Sequence, residues 1–174
     1  MTIISKFLAR RLYHNGYLTS HPTTTPTTTH RASSVLNKNK IYGANNALDN
    51  QNESTCWNSD GQADGNTEHS FIVNFHRSVS VSSISLQFQG GFVAEECQLY
   101  TTKKSENKIE WKEIKDAYIE LEDVNTIQSF DLEECEERDE GALDCDAIKL
   151  VFKSSTDFYG RVILYKLEVY GENR

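Results

Sequence analysis

Hydrophobic and polar residues alternate in four runs of this chain: Phe71, Val73 and Phe75; Ile84, Leu86 and Phe88; Ile148, Leu150 and Phe152; and Ile163, Tyr165, Leu167 and Val169. Successive side chains of an extended backbone point to opposite faces, so each run predicts a strand with one face buried. Weaker forms of the pattern cover Cys97 to Thr101, Ile109 to Ile114, Ala117 to Leu121 and Thr126 to Leu132. Asn, Asp, Ser and Gly cluster between the runs and favour turns. No segment makes a convincing helix. Val35, Leu36, Ile41, Tyr42, Ala47 and Leu48, separated by Asn, Lys and Gly, predict packed irregular loops. About eight short strands with turn-rich joints predict an all-β fold, an antiparallel β-sandwich.

The first thirty residues break the pattern, so the expected division is a disordered basic tail and linker over residues 1–30 and the β domain over residues 31–174. In Met1 to Ser20, Lys6, Arg10 and Arg11 interleave with Ile3, Ile4, Phe7, Leu8 and Leu12 and no acid occurs. Such a start is that of a mitochondrial transit peptide, with Arg11-Leu12-Tyr13 as a processing site, or that of a plain basic extension. It lacks the unbroken apolar core of a secretory signal. His21 to His30 holds two prolines and six threonines with nothing to bury, which predicts a linker.

Charge narrows the partners. All 26 acids of the 174 residues lie at Asp49 or later, whereas six of the 18 bases precede it, so the first 48 residues carry +6 and the rest carry 12 − 26 = −14. An acidic domain repels phosphate backbones, which argues against direct nucleic-acid binding. No apolar run approaches the roughly 18 residues of a membrane span. Glu133 to Asp146 holds eight acids and one base and is expected to be a solvated loop, with a docking surface for a basic partner as the alternative.

Catalytic and metal chemistry find little to use. The four cysteines, Cys56, Cys97, Cys135 and Cys145, lack CxxC spacing and a Cys-His cluster, which predicts free thiols and no zinc site, although Cys135 and Cys145 can pair if oxidised. Of the histidines His14, His21, His30, His69 and His76, none adjoins a nucleophile motif, and the one double glycine, Gly90-Gly91, is followed by Phe92 instead of lysine and a helix. The expectation is a protein that is not an enzyme.

Four segments carry a family resemblance: RASSVLNKN from Arg31, TCWNSD from Thr55, SLQFQGGF from Ser85 and STDFYGRVILYKLEVYG from Ser155. In that order they resemble the discoidin, or coagulation-factor type C, superfamily, and the resemblance implies a galactose-binding-like jelly roll. Within the superfamily the likeness is to intracellular members that associate with nuclear receptors. It therefore implies a protein partner of that kind, a place in the nucleus or cytoplasm, and a part in regulating transcription. Secreted relatives tie their two ends with a disulfide; no cysteine here lies near Arg31 or beyond Cys145, as expected of a reducing compartment. A glycan-binding module, or a mitochondrial adaptor or assembly subunit addressed by residues 1–20, are the alternatives.

The resemblance also points to residues. It assigns Trp57, Asn58, Asp60, Phe92, Asp157, Phe158, Tyr159 and Arg161 to contact loops, although in this family the residue at Trp57 mostly plugs the end of the core. Asp157 and Arg161, either side of Gly160, can form an internal ion pair, or Arg161 can grip a ligand carboxylate. Gly90 and Gly91 are expected to supply positive φ beside Phe92. Many galactose-binding-like domains hold calcium in the turn that matches ALDNQNEST. Here Asp49, Asn52 and Thr55 could supply three oxygens, but the family's closing glutamate corresponds to Lys166, leaving Glu168 as a substitute, so no cofactor is the expectation.

Overall fold

A computed structural model describes residues 28–48, 54–61, 68–102, 109–132 and 143–174. Its strands are β1 (Thr29–Ala32), β2 (Trp57–Asn58), β3 (His69–Phe88), β4 (Glu96–Thr102), β5 (Lys112–Glu120), β6 (Gln128–Asp131), β7 (Leu143–Lys153) and β8 (Ile163–Asn173). Every pairing is antiparallel, in the order β2-β8-β3-β7-β4-β5, with β1 and β6 joined to β3. Three short 3-10 turns, Leu36–Lys38, Lys40–Tyr42 and Ala44–Leu48, occupy the region read as irregular loops.

The organising element is β3, whose twenty residues absorb two of the expected strands. Its first half lies between β1 and β7 and its second half between β8 and β6, so one hydrogen-bonded sheet folds over into the two layers of a sandwich. The bend has a backbone signature. The register with β7 shifts between Asn74 and Val79, and His76 within that gap has φ 54°, its N–H donating to Asn74 Oδ1 at 2.9 Å. A second irregularity, opposite β8 between Val81 and Ser83, changes the parity of the buried positions. Phe71, Val73, Phe75, Val79 and Val81 face the core before it, and Ile84, Leu86 and Phe88 after it. Without that shift the second trio would face outward, because a one-residue slip exchanges the faces of a strand.

Folding β3 over brings both of its ends to one end of the sandwich. They meet in an aromatic cluster: the Trp57 ring centroid lies 5.4 Å from Phe71, 6.0 Å from Phe152 and 6.3 Å from His69, and Phe88 lies 5.7 Å from Phe152. Trp57 is completely buried and donates Nε1–H to Ser34 O at 2.9 Å, so its polar edge is satisfied. His69 is the polar member. Its Nε2 is 2.8 Å from Gly160 O, which can only accept, so Nε2 carries the proton; Ser59 Oγ is 3.1 Å from the same nitrogen and accepts from Val162 N at 2.8 Å. The loop before β8 is thereby pinned to the start of β3.

Several boundaries differ from the sequence reading. β1 draws Thr29 and His30 out of the expected linker by pairing them with Asn74 and Val73. The runs 109–114 and 117–121 fuse into β5, because one pairing partner, β4, serves both. The acidic stretch is shorter as a loop than expected: Leu143 and Cys145 turn inward and start β7, leaving Asp144 and Asp146 on the alternate positions. Residues 133–142, with Cys135, lie outside the described residues, as do residues 1–27. Cys97 is fully buried on β4, where loss of solvation pushes its thiol far above the usual range. No helix among the described residues is long and apolar enough to cross a membrane.

Two predictions follow from this core. Phe152→Ala removes a fully buried ring shared by Trp57 and Phe88 and should cost about 3–5 kcal/mol of unfolding free energy by denaturant titration. Burial holds the His69 imidazole below its ordinary value of 6.5, with Gly160 and Asp60 opposing the shift. The unfolded chain then takes up the proton more readily, so this contribution is full above about pH 6.5 and is lost as pH falls below it. The thermal midpoint should drop between about pH 7.5 and about pH 5.5, and drop less in His69→Gln; His30, also lowered by burial, supplies a remainder.

Candidate functional site

The loop between β7 and β8, Ser154 to Val162, is the most structured segment of the aromatic end. Asp157 organises it. Its Oδ2 accepts from Tyr159 N at 3.2 Å, Arg161 N at 3.1 Å and Arg161 Nε at 2.9 Å, while Oδ1 accepts from Arg161 Nη2 at 3.0 Å. The guanidinium and the two amides together hold the Asp157 carboxyl below the usual carboxylate range. Ser155 Oγ donates to Arg161 O at 2.6 Å and accepts from Asp157 N at 3.1 Å, and Gly160 N closes a turn on Asp157 O at 2.9 Å. Gly160 has φ 70°, a conformation that glycine adopts without Cβ strain. The internal ion pair is thus formed, and Arg161 has its bidentate fork on Asp157 instead of offering it to a ligand.

The clamp leaves two aromatic rings outside. Phe158 is 79% exposed and Tyr159 52%, edge to face with centroids 5.2 Å apart. Arg161 bridges from below: its guanidinium lies 4.9 Å from the Phe92 ring and 5.7 Å from Tyr159. Phe92 is delivered by a turn in which its N–H donates to Gln89 O at 3.0 Å and Gly91 has φ 79°. Gly90 does not share that conformation; its amide donates to Asn125 Oδ1 at 2.7 Å, and Gly91 N to Asp123 Oδ1 at 2.7 Å. A Cβ on Gly90 would stand 3.3 Å from the Asn125 side-chain amide, a tight approach that Asn125 would have to shift to admit.

Phe92, Asp157, Phe158, Tyr159 and Arg161 therefore form one cluster. Trp57 and Asn58 do not reach the surface: both are buried below it, so neither can be the direct contact the family likeness assigned. Asp60 is half-buried and accepts from Asn37 N at 2.8 Å, which ties the 36–42 turns to the 57–61 loop. Gly61, not singled out from the sequence, seats that loop against the tip, since a Cβ there would come within 2.8 Å of Tyr159 O. Ile41, read as packed, is 63% exposed instead, on the Lys40–Tyr42 turn whose carbonyl at Ile41 accepts from Asn46 Nδ2 at 2.6 Å.

Of the calcium donors considered, Asp49 and Asn52 lie outside the described residues and Thr55 is half-buried. Glu168 is not free to substitute. It is buried and accepts from Tyr170 Oη at 2.5 Å, paired across from Ser85 on the face of β8 that alternates with the core-facing Leu167 and Val169. Lys166, half-buried beside Gln87, supplies a positive charge where the likeness asks for a negative one. No group of three or more His, Cys, Asp or Glu suited to a metal ion occurs among the described residues.

The comparisons agree with this architecture. The F5/8 type C domain model matches residues 29–158. A zebrafish (Danio rerio) protein named nuclear receptor 2C2-associated protein is 40% identical over 143 residues, covering 82% of this chain and 89% of its own. The human (Homo sapiens) protein of that name is 36% identical over 154 residues, covering 88% and 98%. Among solved structures, chitosan-binding module 1 from a chitosanase/glucanase of Paenibacillus sp. IK-5 superposes with a TM-score of 0.63 at 20% identity, over 83% of this chain and 95% of that one, a likeness of fold. The matched span starts at the first residue of β1, takes in the Trp57 core and ends at Phe158 within the 154–162 loop, and on that span the chain belongs to the F5/8 type C domain family.

Proposed function

We propose that this chain is a non-catalytic binding module of the nucleus or cytoplasm that associates with a nuclear receptor and, through that contact, regulates transcription. The pair Phe158 and Tyr159 carries the reading: two large aromatic side chains stand in solvent on a loop held by four hydrogen bonds to the Asp157 carboxylate, two from backbone amides and two from the Arg161 guanidinium. Exposed aromatics on a rigid support are typical anchors of protein interfaces, because they bury much area and lose little freedom on binding. The relatives' name, nuclear receptor 2C2-associated protein, supplies the class of partner. A non-catalytic role is supported by the shorter of the two histidine–hydroxyl contacts at this end among the described residues: His69 and Ser59 are both buried, and Ser59 Oγ is engaged by Val162 N.

The test is capture of nuclear receptor 2C2 by the full-length protein, measured by titration for the wild type and for Phe158→Ala with Tyr159→Ala. The double variant should weaken the complex by about tenfold or more, with stability changed by less than about 0.5 kcal/mol. Galactose and a calcium chelator should leave capture unchanged. Competition by galactose would instead favour the glycan-binding alternative, and equal affinity of the double variant would remove the aromatic tip from the interface.

A further inference from the structure

The exposed apolar side chains of this molecule are not evenly spread. Five large ones stand exposed among the described residues, and three of them, Ile41, Phe158 and Tyr159, lie on neighbouring loops at the aromatic end. The loops are physically joined through residues 54–61: Asn46 Nδ2 donates to both Ile41 O and Cys56 O, Asn37 N donates to Asp60 Oδ1, and Gly61 lies against Tyr159. Among the described residues of these loops, charge runs opposite to that of the chain beyond Leu48. Lys38 and Lys40 precede Ile41, both are exposed, and neither takes part in an ion pair among the described residues. Of the two acids on the same described loops, Asp157 is paired with Arg161, whereas Asp60 accepts from the neutral Asn37 N–H and keeps its charge. Among the described residues of these loops Lys38, Lys40 and Arg161 stand against Asp60 and Asp157, 3 − 2 = +1, on a chain that carries −14 beyond Leu48.

On the reading that this end contacts a protein, we infer that the segment it takes from its partner is acidic and amphipathic. Carboxylates on that segment meet Lys38 and Lys40, and its apolar side chains meet Ile41, Phe158 and Tyr159. Local and global charge separate this occupant from an anionic bilayer. A segment that touches only the loops lies within about 8 Å, one Debye length, of the two lysines and is screened from most of the acidic body. A bilayer faces the whole molecule, and two lysines contribute only about 1 kcal/mol each against that repulsion. The positive end therefore selects a small acidic segment over an extended acidic surface.

The experiment uses the full-length protein and an array of peptides of equal length and equal apolar content whose net charge is varied from acidic to basic. Vesicles containing phosphatidylserine form a separate arm, and receptor capture is measured in parallel. The expected result is that acidic peptides bind and basic ones do not. Lys38→Glu with Lys40→Glu should weaken acidic-peptide binding and receptor capture by about tenfold or more. Ile41→Ser should weaken both, and Lys115→Glu on the distant edge strand should leave both unchanged. Peptide binding that ignores net charge, or survives the lysine reversal, overturns the inference; so does lysine-dependent binding to vesicles but not to peptides. If receptor capture needs Phe158 and Tyr159 but not the lysines, the protein-contact reading stands and this one falls. If the acidic peptides bind as expected while the receptor does not, the acidic-segment inference stands and the receptor is the wrong partner.

Discussion

One strand has to serve two layers, and the rest of the molecule follows from how it does so. β3 must keep a continuous apolar face inward while its backbone leaves one layer for the other, which needs both a bend near His76 and a change of parity after Val81. Because the strand doubles back, His69 and Phe88 arrive at the same end. There they share Trp57 and Phe152, and every loop of the candidate site is built outward from that shared floor. The fold thus places its least regular segments over its best-packed aromatic cluster.

That placement explains how a solvent-facing loop can be stiff. The 155–161 segment is held from within by Asp157 and Ser155, from below by His69 through Gly160 O, and from the side by Gly61. Few of these restraints are hydrophobic. Most are hydrogen bonds to backbone groups that would otherwise lack partners in a turn, so satisfying the loop's polar groups and fixing its shape are the same event. A tip ordered before contact gives up less conformational freedom when it meets a partner.

The strands were legible because alternation of hydrophobic and polar residues reports directly on which face is buried. Their lengths were not: the breaks at Asn74 to Val79 and at residues 115–116 interrupt the pattern within strands that continue, and β1 and β2 are too short to show a period. Asp157 and Arg161 were readable as a pair because they flank a glycine at turn spacing. Trp57 could be read as contact or core from the sequence, and only the position of Phe71 and Phe152 decides for the core. Ile41 failed for the opposite reason. An isoleucine among polar neighbours looks buried unless one knows that the turn carrying it is tied down by Asn46 and faces nothing. Gly61 gave no signal, since the atom it makes room for is a backbone carbonyl far along the chain.

The depth of Cys97 gives the molecule a built-in clock. Its side chain, near the start of β4, has no exposed surface, and its thiol resists ionisation there, so alkylating reagents and mild oxidants meet it only when the start of β4 leaves β5 and β7. Modification of that one side chain counts openings of the sheet rather than encounters with reagent. Oxidation at Cys97 therefore requires that the sheet first open locally at β4, and the oxidised fraction records how often it does.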